Sequence, residues 1–124
     1  MQLKSLTVFC GSKSGSNALF VQQAIALGEL LARKNIDLVY GGGNKGLMGA
    51  LANACLVKGG KVIGIIPKIL LEWEAQHTSL TELIITEDMH ERKKMLYEKG
   101  EAGLVLPGGM VLWMNYLKCS LGTI

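Results

Sequence analysis

The stretch "DLVYGGGNKGLMGALANAC", residues 37–55, decides the architecture of this chain. It opens on four residues of strand composition, runs into three consecutive glycines, and continues with Leu47, Leu51, Ala54 and Cys55 at helical spacing. A strand that turns through glycine directly into a helix with one apolar face is half of a crossover unit, and such units build parallel sheets.

The alternation continues on both sides. "LKSLTVF" (residues 3–9), "KVIGIIP" (61–67), "ELIIT" (82–86) and "AGLVL" (102–106) read as four more strands, most of them apolar on both faces, as buried parallel strands are. Between the first two strands, Val21, Ala24, Ile25, Gly28, Leu31 and Ala32 recur at helical spacing and mark the face expected to be buried. The expected fold is an open, doubly wound α/β sheet with its ligand beyond the carboxyl ends of the strands, where the strand order switches.

Bulk properties narrow the function. At 124 residues, 49% apolar and 19% charged, the chain is one domain able to bury a core. Its net charge of +3 is small, and apart from Arg92-Lys93-Lys94 the basic residues are scattered, which argues for a small-molecule ligand and against nucleic acid. Cys10, Cys55 and Cys119 have no metal-ligand spacing and read as reduced thiols of a cytoplasmic protein. The N-terminal "MQLKSLTVFCGS" has too short an apolar run for a signal peptide, and no uninterrupted apolar stretch approaches the roughly 18 residues needed to cross a bilayer, so neither is expected.

Three glycine-rich turns each follow a strand. They carry Gly11 and Ser12; Gly41, Gly42, Gly43 and Gly46; and Pro107, Gly108 and Gly109. In a parallel sheet all three converge on one rim, where glycine lets the backbone approach a ligand and helix N-termini favour an anion such as phosphate. No Walker sequence is present: Lys45 precedes Gly46, so the P-loop role of lysine is not available.

"EDMHERKKM", residues 87–95, holds the densest charge. Glu87, Asp88 and Glu91 suit a helix N-terminus, with Asp88 as the N-cap. Because the segment follows a strand, Arg92 and Lys93 stand at the glycine rim, where they could face a phosphate or carboxylate; the plainer alternative is a solvated first turn. His90 is expected to orient Arg92 or the helix start. His77, in "LEWEAQHTSL", is expected in a solvated loop or short helix.

"VFCGS", "VYGGGNKGLMG", "VIGIIPK", "MHERKKM" and "LPGG" occur in the order and spacing of the LOG (Lonely Guy) family of cytokinin riboside 5′-monophosphate phosphoribohydrolases, which the chain resembles from Leu3 to Met110. The resemblance implies a Rossmann-like domain over residues 1–110, a homodimer, and hydrolysis of adenine-type nucleoside 5′-monophosphates, cytokinin ribotides and AMP, to free base and ribose 5-phosphate. It implies a catalytic role for Arg92, and substrate or phosphate contacts from Met89, Lys93 and the glycine-turn residues named above. No metal and no cofactor are called for.

The family's PGGxGTxxE motif begins at Pro107, Gly108 and Gly109 but stops at Met110: the expected glycine, threonine and catalytic glutamate are replaced, the glutamate by Asn115. The genetic code accounts for this. One G restored before the valine codon makes glycine from the GT of Val111, permits threonine when valine is GTA and leucine CTN, and forces aspartate and then glutamate from the Trp113, Met114 and Asn115 codons. A compatible restored reading is "GTLDELFEMFTWDN". Residues 111–124 are therefore expected to be an out-of-frame tail, and the domain to be C-terminally truncated with impaired activity. The alternative is a genuine divergent C-terminus, such as an apolar helix around Trp113 and Tyr116.

Two other functions are compatible with parts of the pattern. A non-catalytic nucleotide-binding or sensing module would need only the glycine rim. Pyridoxal-phosphate lysine decarboxylation needs a Schiff-base lysine with ring contacts, and Lys45, Lys68 and Lys93 have no such context.

Overall fold

The computed structural model describes residues 3–10, 18–71, 77, 79–106 and 109–114. Its elements are β1 (Ser5–Cys10), α1 (Ala18–Arg33), β2 (Asp37–Tyr40), α2 (Gly46–Val57), β3 (Val62–Pro67) followed by a 3-10 turn (Lys68–Leu70), β4 (Glu82–Thr86), α3 (Met89–Lys99), β5 (Ala102–Leu106) and β6 (Met110–Met114). The strands lie in the order β4-β3-β2-β1-β5-β6. β1 to β5 are mutually parallel, and β6 runs antiparallel to β5. The chain steps outward from β1 to β4, then returns through α3 to β5 on the far side of β1. The expected doubly wound sheet is present, with its switch between β1 and β5.

Period-two alternation distributes the core over both faces. Leu38 and Tyr40 of β2, with Leu6, Val8, Val62, Ala102 and Leu106, pack with α1 and α2. Val39, Ile63 and Ile65 turn the other way onto Leu96 of α3. All six residues of β3 are buried, as its unbroken apolar run requires.

α1 and α2 meet closely at Gly28, where a Cβ would stand 2.5 Å from the Leu51 carbonyl oxygen and 3.0 Å from the Ala54 Cβ. The contact seam therefore runs through Ala24, Gly28, Leu31 and Ala32. Ile25, expected on that face, instead borders an open groove with Ala50, Ala54 and Val57. Among the described residues no helix is long and apolar enough to cross a membrane.

β6 is an element the sequence pattern did not indicate. Gly109, at φ 76°, donates to the Val105 carbonyl at 3.0 Å and turns the chain back along the open edge of β5. The pairing is irregular between Gly103 and Leu104. Trp113 lies over Gly103 and meets Phe9 edge-on, with centroids 6.0 Å apart, and Tyr97 at 5.1 Å. Met110, Val111 and Leu112 are exposed, and the buried Trp113 indole N–H has no acceptor among the described residues.

Candidate functional site

Because β1 to β5 are parallel, their carboxyl ends share one rim, and α3 begins there. The buried Thr86 hydroxyl donates to the Asp88 carbonyl at 3.0 Å, and the Asp88 side chain accepts the Glu91 N–H at 2.8 Å, the expected N-cap. That start fixes the phase of the helix. Met89, Arg92, Lys93 and Leu96 fall at i, i+3, i+4 and i+7, one face, and all four line a cavity of about 330 Å³.

The opposite wall comes from Val8, Phe9 and Cys10 at the end of β1, with Gly41 after β2 and Met48 on α2. It is mostly apolar, whereas α3 contributes two cations. Among the described residues no carboxylate lines the cavity. An apolar slot beside an arginine and a lysine suits a ligand with a flat apolar ring and an anionic group.

The Arg92 fork is aligned by backbone. Its Nε donates to the Ile65 carbonyl and its Nη2 to the Gly41 carbonyl, both at 2.9 Å. Gly41 permits this approach, since a Cβ there would overlap Nη2. The next two glycine carbonyls are also engaged: the Gly42 oxygen accepts the His77 N–H at 3.0 Å, and the Gly43 oxygen accepts the Tyr40 hydroxyl at 2.7 Å. Burial, and then the neighbouring Cys10, push the Tyr40 phenol far above its usual range, so it keeps its proton and donates. Burial pushes the Cys10 thiol up to about 11, so at neutral pH it forms part of an uncharged wall and is a poor nucleophile.

Of the residues singled out from sequence, Gly41, Met89, Arg92 and Lys93 meet at this cavity. Gly42 and Gly43 are buried behind it, Gly42 at φ 84°, and Gly46 opens α2 at φ 60°. Gly109 forms the turn into β6. Gly11, Ser12, Pro107, Gly108 and Asn115 lie outside the described residues, as does Cys119. Lys68 pairs with Glu87 at 3.1 Å on the surface, Lys45 is exposed at the start of α2, and His90 is exposed on α3.

The expectation for His77 is corrected. It is buried rather than solvated, because the chain after β3 returns across the glycine turn: Nδ1 accepts the Ser79 N–H at 3.0 Å, which leaves the ring proton on Nε2, 2.6 Å from the Asn53 Oδ1. Tyr40, Met48 and the β1 end were also missed as parts of the site. Only the position of Tyr40 directly before three glycines offered a sequence clue.

Comparisons with known proteins identify the family and the fold. A family profile described as "Possible lysine decarboxylase" matches residues 48–110. The chain is 48% identical to a cytokinin riboside 5′-monophosphate phosphoribohydrolase of Rhodococcoides fascians over 108 residues, 86% of this chain and 54% of the relative. It is 43% identical to an Arabidopsis thaliana protein of the same name, over 87% of this chain and 51% of the relative. The chain thus spans about half the length of the curated relatives it matches. Among solved structures, the molybdenum cofactor carrier protein of Chlamydomonas reinhardtii superposes with a TM-score of 0.70 at 19% identity, covering 87% of this chain and 63% of that one. The molybdenum cofactor binding protein of Rippkaea orientalis does so with a TM-score of 0.70 at 19% identity, covering 89% and 66%; at that identity the likeness is one of fold. By profile match and by relatives that share nearly half its residues, the chain belongs to the LOG family, whose curated members are cytokinin riboside 5′-monophosphate phosphoribohydrolases.

Proposed function

We propose that this chain carries the substrate-anchoring part of a nucleoside 5′-monophosphate phosphoribohydrolase, acting on adenine-type ribotides such as AMP and cytokinin ribotides. The observation that carries this reading is the aligned Arg92 fork, with Lys93 beside it, at the mouth of an apolar cavity that no described carboxylate lines. Arg92 and Lys93 hold the 5′-phosphate, and the wall of Val8, Phe9, Met48 and Met89 receives the base. By the family resemblance of their motifs, Gly11, Ser12, Pro107, Gly108 and Gly109 would also contact the phosphate. The working protein is a cytoplasmic homodimer, in keeping with the family resemblance of its motifs.

Cleavage of the N-glycosidic bond develops oxocarbenium character on the ribose, and a carboxylate near the sugar stabilises that charge or activates the attacking water. Phosphate anchoring holds the sugar in position for it. The carboxylate is the glutamate that one restored base would place at Asn115, so the chain as it stands binds nucleotide without efficient turnover. β6 supports an out-of-frame origin for residues 111–124: it exposes Val111 and Leu112 and buries the Trp113 indole N–H, which has no described acceptor.

The test is incubation with AMP and isopentenyladenine ribotide, reading bound nucleotide and free base. Binding without base release is expected, with release gained when the frame is restored to "GTLDELFEMFTWDN". Efficient release by the unaltered chain would show that the glutamate is dispensable, and absence of binding would end the nucleotide reading.

A further inference from the structure

Three glycines in a row form the most conformationally free run a chain can contain, yet Gly41, Gly42 and Gly43 must present one fixed surface if Arg92 is to be held in place. Each of their carbonyls takes a donor from a different part of the fold. Gly41 accepts from Arg92 on α3, Gly42 from the His77 backbone in the segment between β3 and β4, and Gly43 from the Tyr40 hydroxyl at the end of β2. The run also presses on β3, where a Cβ on Gly64 would stand 2.8 Å from the Gly42 Cα. His77 is itself braced, its ring spanning Asn53 on α2 and the Ser79 N–H.

We infer that Tyr40 and the His77–Asn53 pair are positioning residues for Arg92: they act on the arginine through the glycine carbonyls, without touching it or the ligand. The Tyr40 hydroxyl fixes the peptide after Gly43, and His77 fixes the one after Gly42. With both in place, the Gly41 carbonyl has one direction, and the Arg92 fork follows it. Loss of either brace loosens the peptides after Gly42 and Gly43, and with them the Gly41 carbonyl on which the Arg92 fork is aligned. The value of this device for function rests on the proposed nucleotide reading, but its geometry does not.

The test uses the chain as it exists, in two variants. Tyr40→Phe removes only the hydroxyl. Asn53→Ala removes the brace on His77 from an exposed position of α2, so it carries the test if the buried change prevents folding. The readout is the Arg92 Nε–H in nitrogen-15 spectra, which the Ile65 carbonyl shields from solvent. Both variants should shift this resonance and speed its exchange about fivefold or more, while the β3 amides keep their exchange rates. An unchanged Arg92 signal in a folded variant overturns the inference. So does acceleration of β3 together with Arg92, which would assign these groups to general stability. In a separate arm, AMP titration should give weaker binding in both variants. If the unaltered chain binds no AMP, the proposed function fails, and the arginine signal still decides the positioning role.

Discussion

Gly41→Ala separates the site from the scaffold. Gly41 is not held in the left-handed region, so alanine fits its backbone conformation, but the new methyl would overlap Nη2 of Arg92. Relief of that overlap moves the end of the arginine by roughly 1 Å, which stretches the Nη2 bond to the Gly41 carbonyl beyond hydrogen-bonding range. The bond measures 2.9 Å at present. A hydrogen bond to a charged group contributes about 1.5–3 kcal/mol, and a misaligned fork loses an interaction of that size with the phosphate. AMP affinity should therefore fall by roughly 10- to 150-fold. The displaced group is the far end of a flexible side chain and the only bond broken in the free protein is the one to Gly41, so stability should fall by no more than about 1.5–3 kcal/mol and the fold should persist. Isothermal titration with AMP and urea denaturation give the two numbers. Affinity retained within about threefold would refute the claim that Arg92 alignment underlies phosphate binding, and a collapse of the fold would show that Gly41 serves the scaffold.

Gly64→Ala sets a Cβ 2.8 Å from the Gly42 Cα, a backbone atom that cannot step aside alone, so a loss of about 1–3 kcal/mol is expected in urea melts; unaltered stability would mean the glycine run is free to shift. Cys10 and Cys55 are raised from 9.0 to about 11, Cys10 by burial and Cys55 by burial and then Asp37. The folded chain therefore keeps protons that the unfolded chain releases, so this contribution to stability is intact below about pH 9 and declines as pH rises toward 11. A urea midpoint that rose over that interval would contradict the assignment. Sequencing of the coding DNA should read GTA for Val111 and CTN for Leu112; any other pair excludes the restored threonine.

Much of the fold was legible because parallel strands need continuous apolar runs: "DLVY", "ELIIT" and "AGLVL" match β2, β4 and β5 residue for residue. Asp88 as N-cap was readable for a similarly local reason, since the acceptor and the N–H it serves are three residues apart. His77 was misjudged because its burial depends on partners 24 and 35 positions earlier, Asn53 and Gly42, which no local pattern displays. β6 escaped notice because pairing along the free edge of β5 is a tertiary opportunity, not a property of "MVLWM". The site was visible as motifs, but its mechanics were not: that Arg92 answers to Ile65 and Gly41, and that Tyr40 serves Gly43, follow only from the close approach of β2, β3 and α3 at one rim.

The proposed nucleotide site is the cavity beneath α3, anchored through the 5′-phosphate by Arg92 and Lys93. A titration monitored by the side-chain resonances of these two residues, with AMP, ribose 5-phosphate and adenosine in turn, addresses it most directly. AMP and ribose 5-phosphate should shift both resonances and compete with each other, with adenosine at least about tenfold weaker than AMP. Adenosine binding as tightly as AMP, or no response to either phosphate, would contradict this anchoring.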